Sequence, residues 1–387
     1  MADVALLRCD TYSPDVVKGR ILKGLDLVGI DPGCFRTARV ALKPNLLTAV
    51  PPESAVVTHP GFFEAVAQIV IDHGGKPLLV ESPAVVSLKN ALRKAGYLPV
   101  IDKLGIEIAH MDSVEKITYE HGHLFKYFEV SRALGDVDMI VNIPKLKTHG
   151  LTYLSAAVKN LFGIVPGMRK SQMHLRFPDK REFSEFILDL YGAVINRFDS
   201  PGAILHILDA VVSLEGEGPG TSGSPRKTGA VIISEDALAL DSVAVDLVGL
   251  DMNLVATLTS GFAREFGVSS RDEIHVLGER IEDMRIQGFL PTKNTGGPLL
   301  LRGSFLRRIM KNLFVEKPSP LEGACILCYQ CRHICPAGAI SEAKKGTKVP
   351  QFDYQRCIRC FCCQEICPEA AITIKKGRLQ WLMGRRY

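Results

Sequence analysis

The chain has 387 residues, 47% hydrophobic and 23% charged, which suits two domains with real cores and excludes a disordered or low-complexity protein. Its formal net charge of +5 is unevenly spread: residues 321–387 carry eleven Lys and Arg against five Asp and Glu. The preceding body is close to neutral, so it is not expected to bind nucleic acid.

The start, MADVALLRCD, has no basic stretch leading into an apolar run, so no secretory signal is expected. No stretch reaches the ~18 apolar residues of a membrane span. The expected location is cytoplasmic.

Strand and helix patterns alternate along the body. RVALKPNLL reads as a strand running into a loop. THPGFFEAVAQIVIDHGG reads as a helix, with Thr58 as cap, Pro60 in its first turn and Gly74 as its stop. KPLLVES is a strand, SLKNALRKAGY a helix and IEIAHMD a strand. MIVNIPKLKTH reads as one strand, and LSAAVKNLFGIV and REFSEFILDLYGAVINRF as helices. AILHILDAVVSL and TGAVIISE are strands flanking a glycine-rich loop, followed by helices in ALALDSVAVDLVGL and NLVATLTSGFAREFG. Such alternation predicts an α/β fold, a largely parallel sheet covered by helices.

Ligands of these sheets gather beyond the carboxyl ends of the strands. Lys43 and Asn45 stand there in ALKPNLL, where Pro44 fixes an extended backbone. The plainer reading is an exposed Lys beside a turn Asn. In VNIPKLKTHGLTYLSAAVKN, Lys145, Lys147 and His149 emerge from a buried strand, and Lys159 and Asn160 follow near the end of the next helix. Cations that converge on one cleft repel unless an anion joins them, so a carboxylate or phosphate ligand is expected. His149 and Lys145 are the catalytic candidates, because imidazole titrates near neutrality. The alternative is a set of surface lysines. His174, in a basic loop, reads as structural.

SLEGEGPGTSGSPRKTG, residues 213–229, is glycine-rich but lacks the closing Gly-Lys-Ser/Thr of a phosphate-binding Walker loop. It is expected to be a lid over the cleft, with Glu215 reaching substrate, or else a mobile hairpin. Asp209 is expected to hold a Lys or His in place, and Asp241 to cap or pair locally. No G-x-G-x-x-G after a strand supports a nicotinamide or flavin site, and no G-x-S-x-G or H-E-x-x-H occurs. An additional organic cofactor is left open.

Beyond the glycine-rich break at Gly296–Gly297, Phe305, Leu306, Ile309, Met310, Leu313 and Phe314 recur at helical spacing, with Arg307, Arg308 and Lys311 on the other side. This predicts a helix that packs the last domain onto the body, or a basic amphipathic helix at a membrane surface.

Nine of the eleven cysteines then fall between Cys325 and Cys367, which in a reducing compartment means metal. CILCYQCRHICP and CIRCFCCQEICP both fit C-x2-C-x2-C-x3-C-P, the bacterial ferredoxin spacing in which the fourth Cys of each run ligates the other cluster. Carried over, this gives one 4Fe–4S cluster on Cys325, Cys328, Cys331 and Cys367, and a second on Cys357, Cys360, Cys363 and Cys335. Zinc ribbons use paired C-x2-C knuckles instead. Cys362 reads as a small buried filler, or as a spare ligand. The basic surplus of the tail offsets cluster charge and is suited to steer an acidic redox partner protein. The expected division is an α/β body at 1–297, a basic helical linker at 298–320, a small α+β ferredoxin-like two-cluster domain at 321–378 and a tail at 379–387.

KPNLL, PPESAVVTHP, LVESP, VNIPKLKTHGLTYLSAAVKNLFG, EGEGPG and ALDSVAVD, followed by the twin cysteine motifs, resemble a family of iron–sulfur-centre proteins whose main domain is the domain of unknown function 362. The resemblance covers nearly the whole chain. It implies a bacterial or archaeal cytosolic protein of anaerobic habit with two 4Fe–4S clusters, and it supplies no catalytic roles. The reading of the residues is an iron–sulfur oxidoreductase in which the clusters pass electrons to or from an anion held by the Lys/His cleft. The alternatives are a ferredoxin-type carrier whose body docks a redox partner, and a redox-sensing binding protein.

Overall fold

The computed structural model describes residues 1–83, 86–111, 113–167, 170, 173, 179–200, 202–293, 317–335, 337–357, 359 and 361–375, with Cys362 and Glu365 described as backbone alone. His174, Cys360, the predicted linker helix and the 379–387 tail lie outside the described residues.

The strands of the body are β1 (Ala2–Arg8), β2 (Arg39–Pro44), β3 (Lys76–Leu79), β4 (Glu107–Ile108), β5 (Val114–Thr118), β6 (Tyr127–Ser131), β7 (Met139–Ile143), β8 (Lys145–His149), β9 (Tyr153–Ser155), β10 (Ile204–Gly216), β11 (Gly223–Ser234) and β12 (Ile274–Gly278). All but the separate β5–β6 hairpin form one ten-stranded sheet in the order β12-β1-β11-β10-β7-β2-β3-β4, with β8 pairing β10 and β9. The centre is parallel: β7 lies parallel to β2 and β10, and β3 to β2 and β4. Strand β7 is buried at every residue, as a central parallel strand covered on both sides should be. β1 and β10 each run antiparallel to β11, so the sheet is mixed but mostly parallel.

Helices α1 (Pro14–Leu27), α2 (Pro60–Asp72), α3 (Leu88–Lys94) and α4 (Leu98–Leu104) cover one face. Helices α5 (Ala157–Asn160), α6 (Lys180–Arg197), α7 (Ala237–Val248) and α8 (Ala256–Ala263) cover the other. Among the described residues, no helix is long and apolar enough to cross a membrane.

Three expectations about the body need correction. MIVNIPKLKTH is two strands, because Pro144 has no N–H for the ladder; its carbonyl instead accepts from the Asp209 N–H at 2.9 Å. The helix expected over LSAAVKNLFGIV is only α5, followed by a tight 3-10 turn at Leu161–Ile164. The glycine-rich stretch is no lid: β10 and β11 pair from His206↔Ser234 out to Gly216↔Gly223, leaving a short tip. Here backbone pairing overrides composition, and Gly223 is needed because a Cβ would run into Leu214.

The C-terminal unit has its own core around Ile334, Ile340, Ile366 and Ile372. Strand β13 (Lys317–Pro320) pairs antiparallel with β16 (Ile372–Lys375), and β14 (Ile340–Ser341) with β15 (Gln351–Phe352). Helices α9 (Gln330–Ile334) and α10 (Cys362–Glu365) precede β14 and β16 in the chain. The unit therefore starts by Lys317, inside the span expected to be linker.

Asp236 caps α7 by accepting the Leu238 and Ala239 N–H groups and also accepts from Val268. Replacing it by Ala should lower stability by roughly 1–2 kcal/mol, read by urea unfolding, and Asp236→Asn should lose much less. Equal losses in the two variants would refute the capping role.

Candidate functional site

Strand alternation sends the polar residues at the centre of the sheet to opposite faces. Ala41 packs with the α5–α7 helices and Leu42 with the α1–α4 helices, so Lys43 joins the first group. There it is buried, donating to Glu81 at 2.5 Å and to the Pro44 carbonyl at 2.7 Å. Burial lowers its pKa and Glu81 opposes the shift. Gly163 lies against this pair, and a Cβ there would run into Lys43 and Glu81. Lys159 shares the region, its ammonium 4.8 Å from the Phe162 ring.

Lys145 serves the other face. It donates to Asp209 at 2.8 Å and to the Tyr12 hydroxyl at 2.7 Å. Asp209, fully buried, also accepts from the Tyr12 hydroxyl at 2.9 Å and from the His59 N–H at 3.0 Å. Tyr12 and His59 stack with ring centres 3.7 Å apart. Burial lowers the Lys145 and His59 pKa values and, with the Asp209 charge, raises that of Tyr12. Asp209 thus does hold a lysine, as its sequence position implied.

Asparagines join the two groups. Lys147 donates to Asn45 Oδ1 at 2.7 Å, and Asn45 Nδ2 donates to Asn160 Oδ1 at 3.0 Å. Asn160 in turn donates to the Lys43 carbonyl and to Asn142. Asn142 reaches His206, a fully buried residue whose pKa burial pushes down to about 3. Asp241 accepts the N–H groups of Ala157 and Val158 and so caps α5; burial pushes its pKa up to about 7.

His149 ends β8, at the turn into β9. Its Nδ1 accepts from the N–H groups of Leu151 and Thr152, which leaves Nε2 as the proton-bearing nitrogen. This turn meets the β10–β11 tip: Gly150 donates to the Gly218 carbonyl, and the Gly218 N–H donates to Thr148. From the same tip Thr221 Oγ1 donates to the carbonyl of Cys367 at 2.7 Å. Glu215 accepts the Leu290 N–H and Glu217 the Lys293 N–H, so both acids of the tip hold the chain leaving the body.

The described cysteines fit the ligand sets of iron–sulfur clusters. Cys325, Cys328, Cys331 and Cys367 line one cavity, the grouping assigned from spacing. The Cys331 thiol is pushed up to about 12, first by burial and then by the other three, a crowding that iron relieves. Of the second set, Cys357 and Cys363 both act on the Tyr354 hydroxyl. The two runs repeat one backbone at an offset of 32 positions. Leu327 and Tyr329 have positive φ, and so do Arg359 and Phe361. Gly338 and Ala370 match likewise. Left-handed non-glycine residues cost about 1–2 kcal/mol each, and the concavities they shape are suited to an anionic cluster. Cys335 Sγ accepts from Ala339 N and Cys367 Sγ from Ala371 N, both at 3.2 Å. Such N–H···S bonds tune cluster potential.

The structure brings Lys43, Asn45, Lys147 and Asn160 into one network and separates Lys145 from Lys43 across the sheet. Sequence reasoning missed Glu81, Tyr12, His59 and Lys170. Glu81 had a visible signal, since it follows the apolar strand KPLLV just as Lys43 follows RVAL.

His206 is neutral when folded and takes a proton when unfolded below pH about 6.5, so its own contribution to stability falls as pH drops from there towards 3, while the raised Asp241 contributes in the opposite sense over much of that range. The full slope is about 1.4 kcal/mol per pH unit. Unfolding of the wild type and of His206→Gln should be compared at pH 6.5 and 5: the stability difference between them should shift against the wild type at the lower pH, and a pH-independent difference would remove this group from the linkage.

A family model described as a domain of unknown function, DUF362, matches residues 40–246, and one described as a 4Fe-4S dicluster domain matches residues 318–368. The thylakoid-associated protein sll1697 of Synechocystis sp. is 34% identical over 325 residues, covering 81% of this chain and 96% of that protein. Two solved structures overlap more distantly. A Thermotoga maritima protein shares 13% identity over 60% of this chain and 57% of its own, with a TM-score of 0.35. The lactate racemase apoprotein of Thermoanaerobacterium thermosaccharolyticum shares 14% over 61% and 54%, with a TM-score of 0.37. Neither overlap bears on activity. The two family models and the Synechocystis relative show that this chain belongs to the DUF362 family and carries a C-terminal 4Fe–4S dicluster domain.

Proposed function

We propose that the chain is an iron–sulfur oxidoreductase of the cytoplasm that exchanges electrons with a small anion bound in the body, and takes or returns them through a redox partner protein. Two bound 4Fe–4S clusters would supply single-electron transfer. The observation that carries the reading is the contact of Thr221 with Cys367, because the tip that makes it also holds the His149 turn. One hairpin thus links a cluster ligand to the strand bearing Lys145 and Lys147.

The body's residues manage charge and protons in this reading. Lys145, Tyr12 and Asp209 form a short buried relay in which a proton moves between Nζ, the hydroxyl and the carboxylate. His149 holds its proton at Nε2 for delivery to the anion. Reduction of a bound unsaturated or carbonyl anion then takes up two electrons, one at a time, and two protons.

The test is reoxidation of the dithionite-reduced protein by small 2-oxo and unsaturated carboxylates, followed by cluster absorbance and electron paramagnetic resonance. Saturable reoxidation is expected, lowered at least about a hundredfold in Lys145→Gln and His149→Gln at an unchanged content of about eight irons. Reoxidation by partner proteins alone, unaffected by these variants, would make the chain an electron carrier instead. Thr221→Val should change the cluster potential without changing iron content; an identical potential would deny the contact any part in electron exchange.

A further inference from the structure

The hairpin of β14 and β15 ends in a basic tip beside the first cysteine set. Tyr329, Pro350 and Phe352 line the same cavity as Cys325, Cys328, Cys331 and Cys367. The Ala343 N–H donates to the Tyr329 hydroxyl at 3.4 Å, so the chain on both sides of the tip is anchored at the cavity wall. Between these anchors the Thr347 N–H donates to the Lys344 carbonyl at 2.9 Å, and Gly346 supplies the left-handed residue of this turn, at φ +88°. Lys344, Lys345 and Lys348 are all exposed, and none forms an ion pair with a described residue. Arg332, by contrast, is matched by Glu342 at 2.5 Å.

Here the cysteine set is open to solvent. Cys328 is exposed, whereas Cys331, Cys363 and Cys367 are buried. Ile326, between Cys325 and Cys328, is 62% exposed and lines the cavity. Leu321, whose carbonyl accepts from the Cys325 N–H at 3.1 Å, is exposed as well. Large apolar side chains gain by leaving water when a partner covers them, and interfaces place such groups at the centre with charge at the rim. Glu322 and Glu369 adjoin Cys325 and Cys367 in sequence, and both are exposed. The rim thus carries cations on the hairpin tip and acids beside the cysteine loop, a segregation that orients a partner as well as attracting it. The body meets the same set at Cys367, through Thr221. A cluster held there faces solvent at Cys328 and the body at Cys367, which suits it to take an electron from outside and pass it inward.

We propose that this face docks a small acidic electron-carrier protein, with Ile326 at the centre of the contact and the carrier's carboxylates against the 344–348 tip. The assignment rests on the iron–sulfur redox reading and names the chemistry of its redox partner and the point where that partner arrives. Each encounter moves one electron: the reduced carrier is oxidised by one as the cluster on Cys325, Cys328, Cys331 and Cys367 is reduced by one, and no proton or group moves with it. Opposite charges speed encounter more than they tighten a complex, so the lysines act mainly on the association rate.

The probe is a reduced acidic ferredoxin of the plant type, mixed anaerobically in a stopped-flow cell with the full-length, cluster-loaded, oxidised protein. Binding heat between the two oxidised proteins is the second readout, and it decides the matter where the potentials disfavour transfer. A second-order rate that falls as salt is added is expected. Charge reversal at the tip, Lys344→Glu with Lys345→Glu and Lys348→Glu, should lower that rate about tenfold or more at low ionic strength and much less in high salt, at unchanged iron content. Glu369→Gln should raise the rate, Ile326→Ser should weaken binding at every salt concentration, and Lys103→Gln, an exposed lysine of the body, should change nothing. A rate and a binding heat both indifferent to the tip overturn the assignment. So does tip-dependent binding of phosphatidylglycerol vesicles in place of the ferredoxin, which gives the face to a membrane, or self-association abolished by the tip variant, which gives it to a second copy. Tip-dependent docking with no reoxidation by small anions would sink the oxidoreductase reading alone, and reoxidation by small anions with docking indifferent to the tip would sink this one alone.

Discussion

Lys43 and Lys145 are each about 1% exposed, and their burial constrains everything around them. Taking an ammonium group out of water costs several kcal/mol, and removing its partner leaves that cost uncompensated. Each partner comes from another strand or its extension. Parallel pairing of β2 with β3 aligns Leu42 with Leu79, which leaves Glu81 one residue beyond the level of Lys43 and within reach of its ammonium group. Pairing of β8 with β10 sets Lys145 directly across from Asp209. A slip of one residue in either register would turn a buried cation away from its acid. The polar centre therefore helps to specify the sheet, and the sheet delivers the polar centre.

Asparagines connect the polar groups of the two faces. Asn45 accepts from Lys147 and donates to Asn160, so its amide is oriented from both sides at once. Asn142 and Asn160 continue the line to His206. Amides carry no charge and do not titrate near neutrality, so they connect the lysine groups rigidly without shuttling protons.

The cysteine runs were legible because their chemistry is local: spacing alone names the four residues that line the first cavity. The alternation of the body was legible for the same reason, since apolar runs mark buried strands wherever they pair. What sequence hid was long-range. Tyr12 and Asp209 lie 197 positions apart, and nothing near either announces the other. Lys145 and Lys147 looked like free cations because their acceptors, Asp209 and Asn45, sit on other elements. Composition misled at residues 213–229, where glycines that resemble a mobile loop instead permit a tight paired hairpin.

That hairpin bears on how a ferredoxin unit comes to serve this body. The chain leaves the body at Leu290–Lys293, where Glu215 and Glu217 hold its backbone, and the C-terminal unit touches the body again at Thr221, only a few residues further along the same tip. The last described residues of the body and its contact with the C-terminal unit therefore meet one hairpin. A covalent connection raises the effective concentration of the two units it joins. The hydrogen bond to Cys367 then needs to contribute only orientation. Cys367 is the residue that crosses from the second cysteine run to the first cluster set, so orienting its carbonyl orients the cavity itself. The body thus holds one of the two crossing cysteines, Cys367, so the two cysteine sets stand in different relations to it.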